Sequence, residues 1–192
     1  VDFVSAGFWF RYVAQPTVLS VSPALGPLAG NTTVTVTGAD FPDVAYLRCL
    51  FGAVSVPAVF VSSSTLLCAS APRAVAGSVP VNVSVNAGAQ VSPLSAPAAA
   101  FEYVAAPAVH SLWPSLGPLA GGTVVSVHGA AFRAAPALAC SFGGAGVVPA
   151  SFVNGTLLLC TSPALMQAQA VVVEVTLNGA DYTADGKLFV FT

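Results

Sequence analysis

At 192 residues the chain has room for one large or two small domains, and its composition already narrows the functions open to it. Only 6% of residues are charged, against about 25% in an ordinary soluble domain, and five Lys and Arg against seven Asp and Glu leave a formal net charge of −2. Nucleic-acid recognition needs clustered basic side chains to neutralise phosphates, and the five here are scattered from Arg11 to Lys187, which excludes that partner. Every apolar run is cut by Pro, Gly, Ser, Thr or Asn before it reaches the ~18 residues of a membrane span, so no membrane insertion is expected within this segment. The start, Val1-Asp2-Phe3, lacks the basic residues and apolar core of a secretory signal; without an initiating Met, the chain reads as part of a longer protein. With so few charges, solubility must come from hydroxyl side chains, attached glycans or burial in an assembly.

Self-comparison divides the chain. Phe10-Arg11-Tyr12-Val13-Ala14 recurs 91 residues later as Phe101-Glu102-Tyr103-Val104-Ala105, which makes residues 1–14 the last strand of a preceding repeat. Pro23-Ala24-Leu25-Gly26-Pro27-Leu28-Ala29-Gly30 recurs at the same offset as Pro114-Ser115-Leu116-Gly117-Pro118-Leu119-Ala120-Gly121. The register continues through Val34 and Val125, Gly38 and Gly129, Phe41 and Phe132, and Cys49 and Cys140; one inserted residue then moves Phe60 onto Phe152 and Cys68 onto Cys160. One repeat therefore spans residues 16–104 and another residues 107–192, joined by a linker too short for independent tumbling.

Within the first repeat, strands are expected near 17–21, 33–37, 46–51, 56–61, 65–70, 81–85 and 99–104. Apolar and polar residues alternate with a period of two, as in Val34 and Val36 among Thr33, Thr35 and Thr37, and Gly, Pro, Ser and Asn punctuate the gaps. The second repeat follows the same plan. No stretch keeps a helical period, and residues 164–170 are expected to form a loop or one short turn. Seven short strands in about 90 residues suit an antiparallel sandwich.

The series Pro-x-Leu-Gly-Pro-Leu-Ala-Gly-[Gly/Asn]-Thr, alternating Val, Gly-x-x-Phe, Cys-x-Phe-Gly, Cys-x(2-3)-Pro, a Val-rich strand and a closing aromatic strand resembles the IPT/TIG family, twice over nearly the whole chain. The resemblance implies an all-β chain of tandem immunoglobulin-like (IPT/TIG, E-set) antiparallel β-sandwiches, and similarity to fibrocystin-like or plexin-like surface proteins. Asn31 departs from the typical Gly that Gly122 keeps, but Asn tolerates a left-handed backbone. Similar domains also serve in Rel-like transcription factors and as accessory modules of starch-acting enzymes, so function must come from residues.

Cys49, Cys68, Cys140 and Cys160 fall two to a repeat at equivalent positions without Cys-x-x-Cys spacing, which favours intra-repeat disulfides Cys49–Cys68 and Cys140–Cys160 over a metal site. Reduced, buried thiols are the reading an intracellular location would require. Asn31, Asn82 and Asn154 head Asn-x-Ser/Thr triplets and are candidate N-glycosylation sites in a secreted protein; turn chemistry or strand polarity is the plainer account of each. His110 and His128 stand outside the shared framework, and no catalytic or phosphate-cradling motif appears, so no catalytic residue, cofactor or metal ligand is assigned. Asp40, Asp43, Asp181 and Asp185 read as solvated turn carboxylates, and Phe51, Phe60, Phe142 and Phe152 as core. Trp113, in place of Ser22, is a candidate contact, either wedged between repeats or on a partner. These readings converge on a non-catalytic extracellular or cell-surface scaffold or adhesion module whose partners are other proteins or further repeats of the same array. A carbohydrate-binding accessory module of a secreted enzyme is the alternative.

Overall fold

The computed structural model describes residues 14–86 and 99–192; the strand expected over residues 1–14 lies outside them except for its final residue. The first repeat is built from β1 (Thr17–Ser22), β2 (Leu25–Pro27), β3 (Thr33–Ala39), β4 (Arg48–Phe51), β5 (Val54–Ser62), β6 (Thr65–Ala69), β7 (Gly77–Ser84) and β8 (Ala100–Val104). The second has β9 (Ala108–Trp113), β10 (Leu116–Gly117), β11 (Val124–Ala130), β12 (Ala139–Phe142), β13 (Val147–Asn154), β14 (Leu157–Thr161), β15 (Gln169–Thr176) and β16 (Lys187–Phe191), with a 3-10 turn at Gly143–Ala145. No helix among the described residues is long and apolar enough to cross a membrane, and residues 164–168, ahead of β15, carry no helix.

The pairing order is β1-β3-β6-β5-β4-β7-β8-β2, and the second repeat repeats it strand for strand as β9-β11-β14-β13-β12-β15-β16-β10. In each repeat one strand serves two partners. Residues 54–57 of β5 pair with β4, and residues 58–62 pair with β6; the ladder folds over there into the two layers of a sandwich. Pro57 and Pro149 stand where the strand changes partner, a place where a residue without an N–H disturbs the ladder least. The alternation seen in the sequence becomes burial: Val34 and Val36 of β3, and Val81 and Val83 of β7, face the same interior and are wholly buried.

An eighth strand per repeat was not legible. Pro-x-Leu-Gly-Pro reads as a turn, yet Leu25-Gly26-Pro27 and Leu116-Gly117 run parallel to the closing strand, with Leu25 beside Glu102 and Leu116 beside Val190. Glycine permits it: a Cβ on Gly26 would collide with the Thr32 side chain and the Phe101 ring, and one on Gly117 with Thr123 and Phe189. The neighbouring turn needs a left-handed residue, and Asn31 supplies it with φ of 65° where Gly122 has 83°.

Cys49 on β4 and Cys68 on β6 join the two layers, with Cα atoms 6.3 Å apart, and Cys140 on β12 and Cys160 on β14 do so at the same distance. Aromatic rings pack edge to face around them, Phe51 on Phe101 at 5.4 Å and Phe142 on Phe189 at 5.6 Å. Phe60 is half-buried against the core, but Phe152 is 41% exposed, contrary to its reading as core. Like Phe60, it lies on the half of its strand that has crossed to the other layer, beside a register irregularity, so that placement alone does not fix its burial.

Each disulfide closes a loop of about 20 residues and should stabilise its own repeat by about 3 kcal/mol. Cys49→Ala is expected to accelerate amide exchange throughout β3–β8 while β11–β16 keep their protection; equal loss in both repeats would refute independent stapling. Burial pushes the Tyr103 hydroxyl pKa above its ordinary value, an effect partly offset by the Arg73 guanidinium 5.7 Å from the ring centroid. The resulting stability is fully present below the unfolded pKa of about 10 and is lost as pH rises through the folded value. Phe191 holds the equivalent place in the second repeat, so Tyr103→Phe should remove a phenolate step above pH ~10 from an absorbance titration.

Candidate interaction surface at the repeat junction

β8 ends at Val104 and β9 begins at Ala108, so three residues separate the sandwiches. The Val104 side chain, although it belongs to the closing strand of the first repeat, is 5% exposed and packs into the core of the second, and Leu25 rests on that same core. The repeats therefore share apolar surface as well as a linker.

The polar part of the junction comes from the loop between β15 and β16. Asn178 folds it: the amides of Ala180 and Asp181 donate to Asn178 Oδ1 at 3.0 and 2.8 Å, a side-chain turn typical of Asn. This aims Asn178 Nδ2 at the first repeat, where it donates to the Leu25 carbonyl at 2.9 Å while also donating to Asp181 Oδ2 at 2.7 Å. The same carboxylate oxygen accepts the Thr32 hydroxyl at 2.7 Å. Thr32 is held by its backbone, whose N–H donates to Ser70 Oγ and whose carbonyl accepts from the Ser70 N–H, and it is 0% exposed. Asp185 accepts the Val109 N–H at 2.6 Å, which fixes the first strand after the linker. Beside the linker, Arg133 makes a two-pronged ion pair with Glu102 at 2.9 and 3.2 Å. A cavity of about 230 Å³, lined by Leu25, Val104, Pro107, Leu177, Tyr182 and Asp185 among others, remains at the seam.

Asp181 is thus half-buried and engaged by donors, unlike the solvated turn carboxylate that the sequence suggests, whereas Asp40, Asp43 and Asp185 are exposed, Asp185 while accepting the Val109 N–H. Asn178-Gly179 is a visible turn signal, but nothing in the sequence pairs Asp181 with a hydroxyl 149 positions away. Trp113 is 72% exposed and so does not wedge between the two described repeats. Asn154 is exposed, and its Oδ1 accepts both the N–H and the hydroxyl of Thr156 at 2.9 Å. Asn31 is exposed in its turn. Asn82 is only half-exposed, and its Oδ1 is buried with no hydrogen-bond partner among the described residues. His110 and His128 are exposed on strands. Among the described residues no group of three or more His, Cys, Asp or Glu could hold a metal ion.

Two immunoglobulin-like sandwiches, each closed by its own disulfide and packed end to end through a shared apolar seam, define a tandem β-sandwich repeat protein. The family model of the IPT/TIG domain matches residues 16–103 and 107–191, and the chain belongs to that family. It is 25% identical to Plexin-2 of Caenorhabditis briggsae, over 92% of this chain and 10% of that protein. Among solved structures it resembles the full extracellular region of plexin A4, at 17% identity and a TM-score of 0.58, covering all of this chain and 17% of that one. A second plexin A4 structure aligns with a TM-score of 0.54 at the same identity, over all of this chain and 20% of that one. The chain thus spans a tenth of the length of that relative and at most a fifth of these structures.

Asp181→Ala leaves the buried Thr32 hydroxyl without its acceptor, which should cost about 1–3 kcal/mol of junction stability and show as faster amide exchange on both sides of the seam with each core intact. The Glu102–Arg133 pair, with both side chains 40% exposed, should give a coupling of only ~0.2–1 kcal/mol in a double-mutant cycle, diminished by salt.

Proposed function

We propose that this chain is a non-catalytic, extracellular interaction segment: a stiff pair of IPT/TIG repeats that sets the spacing and direction of binding surfaces in a larger cell-surface or secreted protein. The observation that carries this reading is the junction, where a hydrogen bond from a buried hydroxyl to a half-buried carboxylate and a shared apolar seam join two stapled sandwiches across three linker residues. Such coupling suits a module that transmits position and orientation; relative domain motion is the default where it is lacking. The two disulfides support an oxidising compartment, and the likeness to plexins supports a surface-protein setting. Protein partners would meet the exposed apolar side chains of the sandwich faces and ends, Trp113 foremost. The sugar-binding alternative calls for an aromatic platform; Tyr46 and Trp113, the most exposed aromatics described, sit on different repeats.

Glycan attachment belongs to the same proposal. Asn154, exposed in a turn and hydrogen-bonded to its own triplet's Thr156, is the best placed acceptor, with Asn31 second. Asn82 is least suited because part of its carboxamide is buried. Peptide mass spectrometry of the native protein, run without reduction and with and without glycan removal, tests compartment and faces together. Cys49–Cys68 and Cys140–Cys160 crosslinks with sugar on Asn154 are expected. Free thiols and bare Asn would move the protein inside the cell and overturn the surface reading.

A further inference from the structure

One pair of positions differs in kind between the two repeats. Arg73 and Leu165 are equivalent by their backbone, since the N–H of each donates at 2.8 Å to an equivalent carbonyl, that of Leu28 for Arg73 and that of Leu119 for Leu165. Tyr103 and Phe191 are equivalent by register, beside Gly26 and Gly117. In the second repeat both side chains are apolar: Phe191 is wholly buried and Leu165 packs against the core. The first repeat has a guanidinium and a phenol in their places, with Arg73 5.7 Å from the Tyr103 ring centroid. The sandwich therefore does not require polar groups at these positions, and a hydroxyl buried where a plain ring suffices carries a desolvation cost. Both groups line a cavity of about 200 Å³ walled by Phe51, Val54, Pro72 and Val79. Tyr103 is 2% exposed, its ring is set edge to face on Phe101 at 5.0 Å, and its hydroxyl makes no hydrogen bond to any described residue. That hydroxyl is not sealed in the core, because the sealed polar side-chain atom without a partner among the described residues is Asn82 Oδ1; it opens on the cavity. No carboxylate lines the cavity beside Arg73, and the ion pair among the described residues is that of Arg133 with Glu102. Two donors, one of them cationic, thus meet at an apolar hollow that holds no anion of the described chain.

We propose that this cavity of the first repeat receives the carboxylate side chain of a protein partner, a Glu or an Asp, with the Arg73 guanidinium and the Tyr103 hydroxyl donating to its oxygens. A carboxylate matches the single positive charge. A phosphate brings nearly two negative charges against one cation and leaves oxygens facing Phe51 and Val79 with no donor, a poorly compensated burial of charge. The cavity is smaller than the roughly 300–1,000 Å³ of pockets that enclose drug-sized ligands, and it suits one inserted side chain whose methylene stem meets the apolar walls. Hydrogen bonds to an ionised acceptor are about twice as strong as neutral ones, which makes such a side chain an anchor. Burial keeps the phenol protonated past its ordinary range, so Tyr103 is a donor at neutral pH. That the carboxylate comes from a protein rests on the interaction role proposed above; the preference for a carboxylate rests on the cavity alone.

The test is an NMR titration of the full chain with N-acetyl-glutamate N-methylamide, whose one ionised group is the side-chain carboxylate. The Tyr103 ring and Arg73 Nε–H signals, each assigned by its loss in the single variant, and the Val54 and Val79 methyls are followed. Saturable shifts at all of them are expected. The glutamine counterpart, equal in shape but uncharged, should bind about tenfold or more weakly, and Arg73→Leu should weaken the glutamate probe by a similar factor. The double change Arg73→Leu with Tyr103→Phe installs the pair the second repeat already carries, so the core amides should stay protected while the Val54 and Val79 methyls cease to respond. Equal binding of the glutamine probe, methyl shifts that persist in the double variant, or no saturable shift with the glutamate probe would each overturn the proposal. So would tighter binding of inorganic phosphate, or saturation by butyrate with none by the glutamate probe, which would make the ligand a free acid. None of these outcomes bears on the extracellular reading, which the mapping of disulfides and glycans decides.

Discussion

A hydroxyl that cannot reach water organises the junction. The framework of the first repeat turns Thr32 toward the trailing end and clamps its backbone to Ser70, and a polar group fully removed from solvent without a partner is costly. Asp181 supplies the acceptor. To place that carboxylate, the β15–β16 loop must be held in one shape, which Asn178 does from within while its amide takes the Leu25 carbonyl. The direction of the second repeat relative to the first follows from these few hydrogen bonds together with Val104, whose side chain completes the next core.

The scarcity of charge has meaning in this setting. Of the twelve Lys, Arg, Asp and Glu in the chain, Glu102, Arg133, Asp181 and Asp185 all stand at the seam and have partners there. Elsewhere the described surface carries few charges among hydroxyls, small side chains and exposed apolar residues, so the sandwiches rely for stability on their buried strands, edge-to-face aromatics and one interlayer disulfide each. A repeat of about 90 residues buries a modest fraction of its surface, which makes the staple a sizeable contribution.

Much of this architecture is legible in the sequence because it is written in short periods. Alternating valines must put one face inward, so β3, β7, β11 and β15 can be read from residues such as Val34 and Val36. The duplicated Pro-x-Leu-Gly-Pro marks the recurrence, and the IPT/TIG resemblance comes from the same residues. The short β2 and β10 strands escape, since their residues carry turn chemistry and become strands only when the closing strand offers its edge and Gly26 or Gly117 allows close approach. Phe152 misleads because a shared framework position does not fix burial: Phe60 packs against its core, and Phe152 at the equivalent place is exposed.

The sequence by itself determined seven of the eight strands in each repeat, the all-β class, the doubling of the unit and the equivalence of the cysteines, because each depends on residue type at local spacing. Only the tertiary structure decided which carboxylate meets which hydroxyl, that Val104 serves the core of its neighbour, and that Leu25 packs on that core too. Those choices are made between groups up to 153 positions apart, and distance along the chain carries no record of them until both sandwiches are folded and in contact.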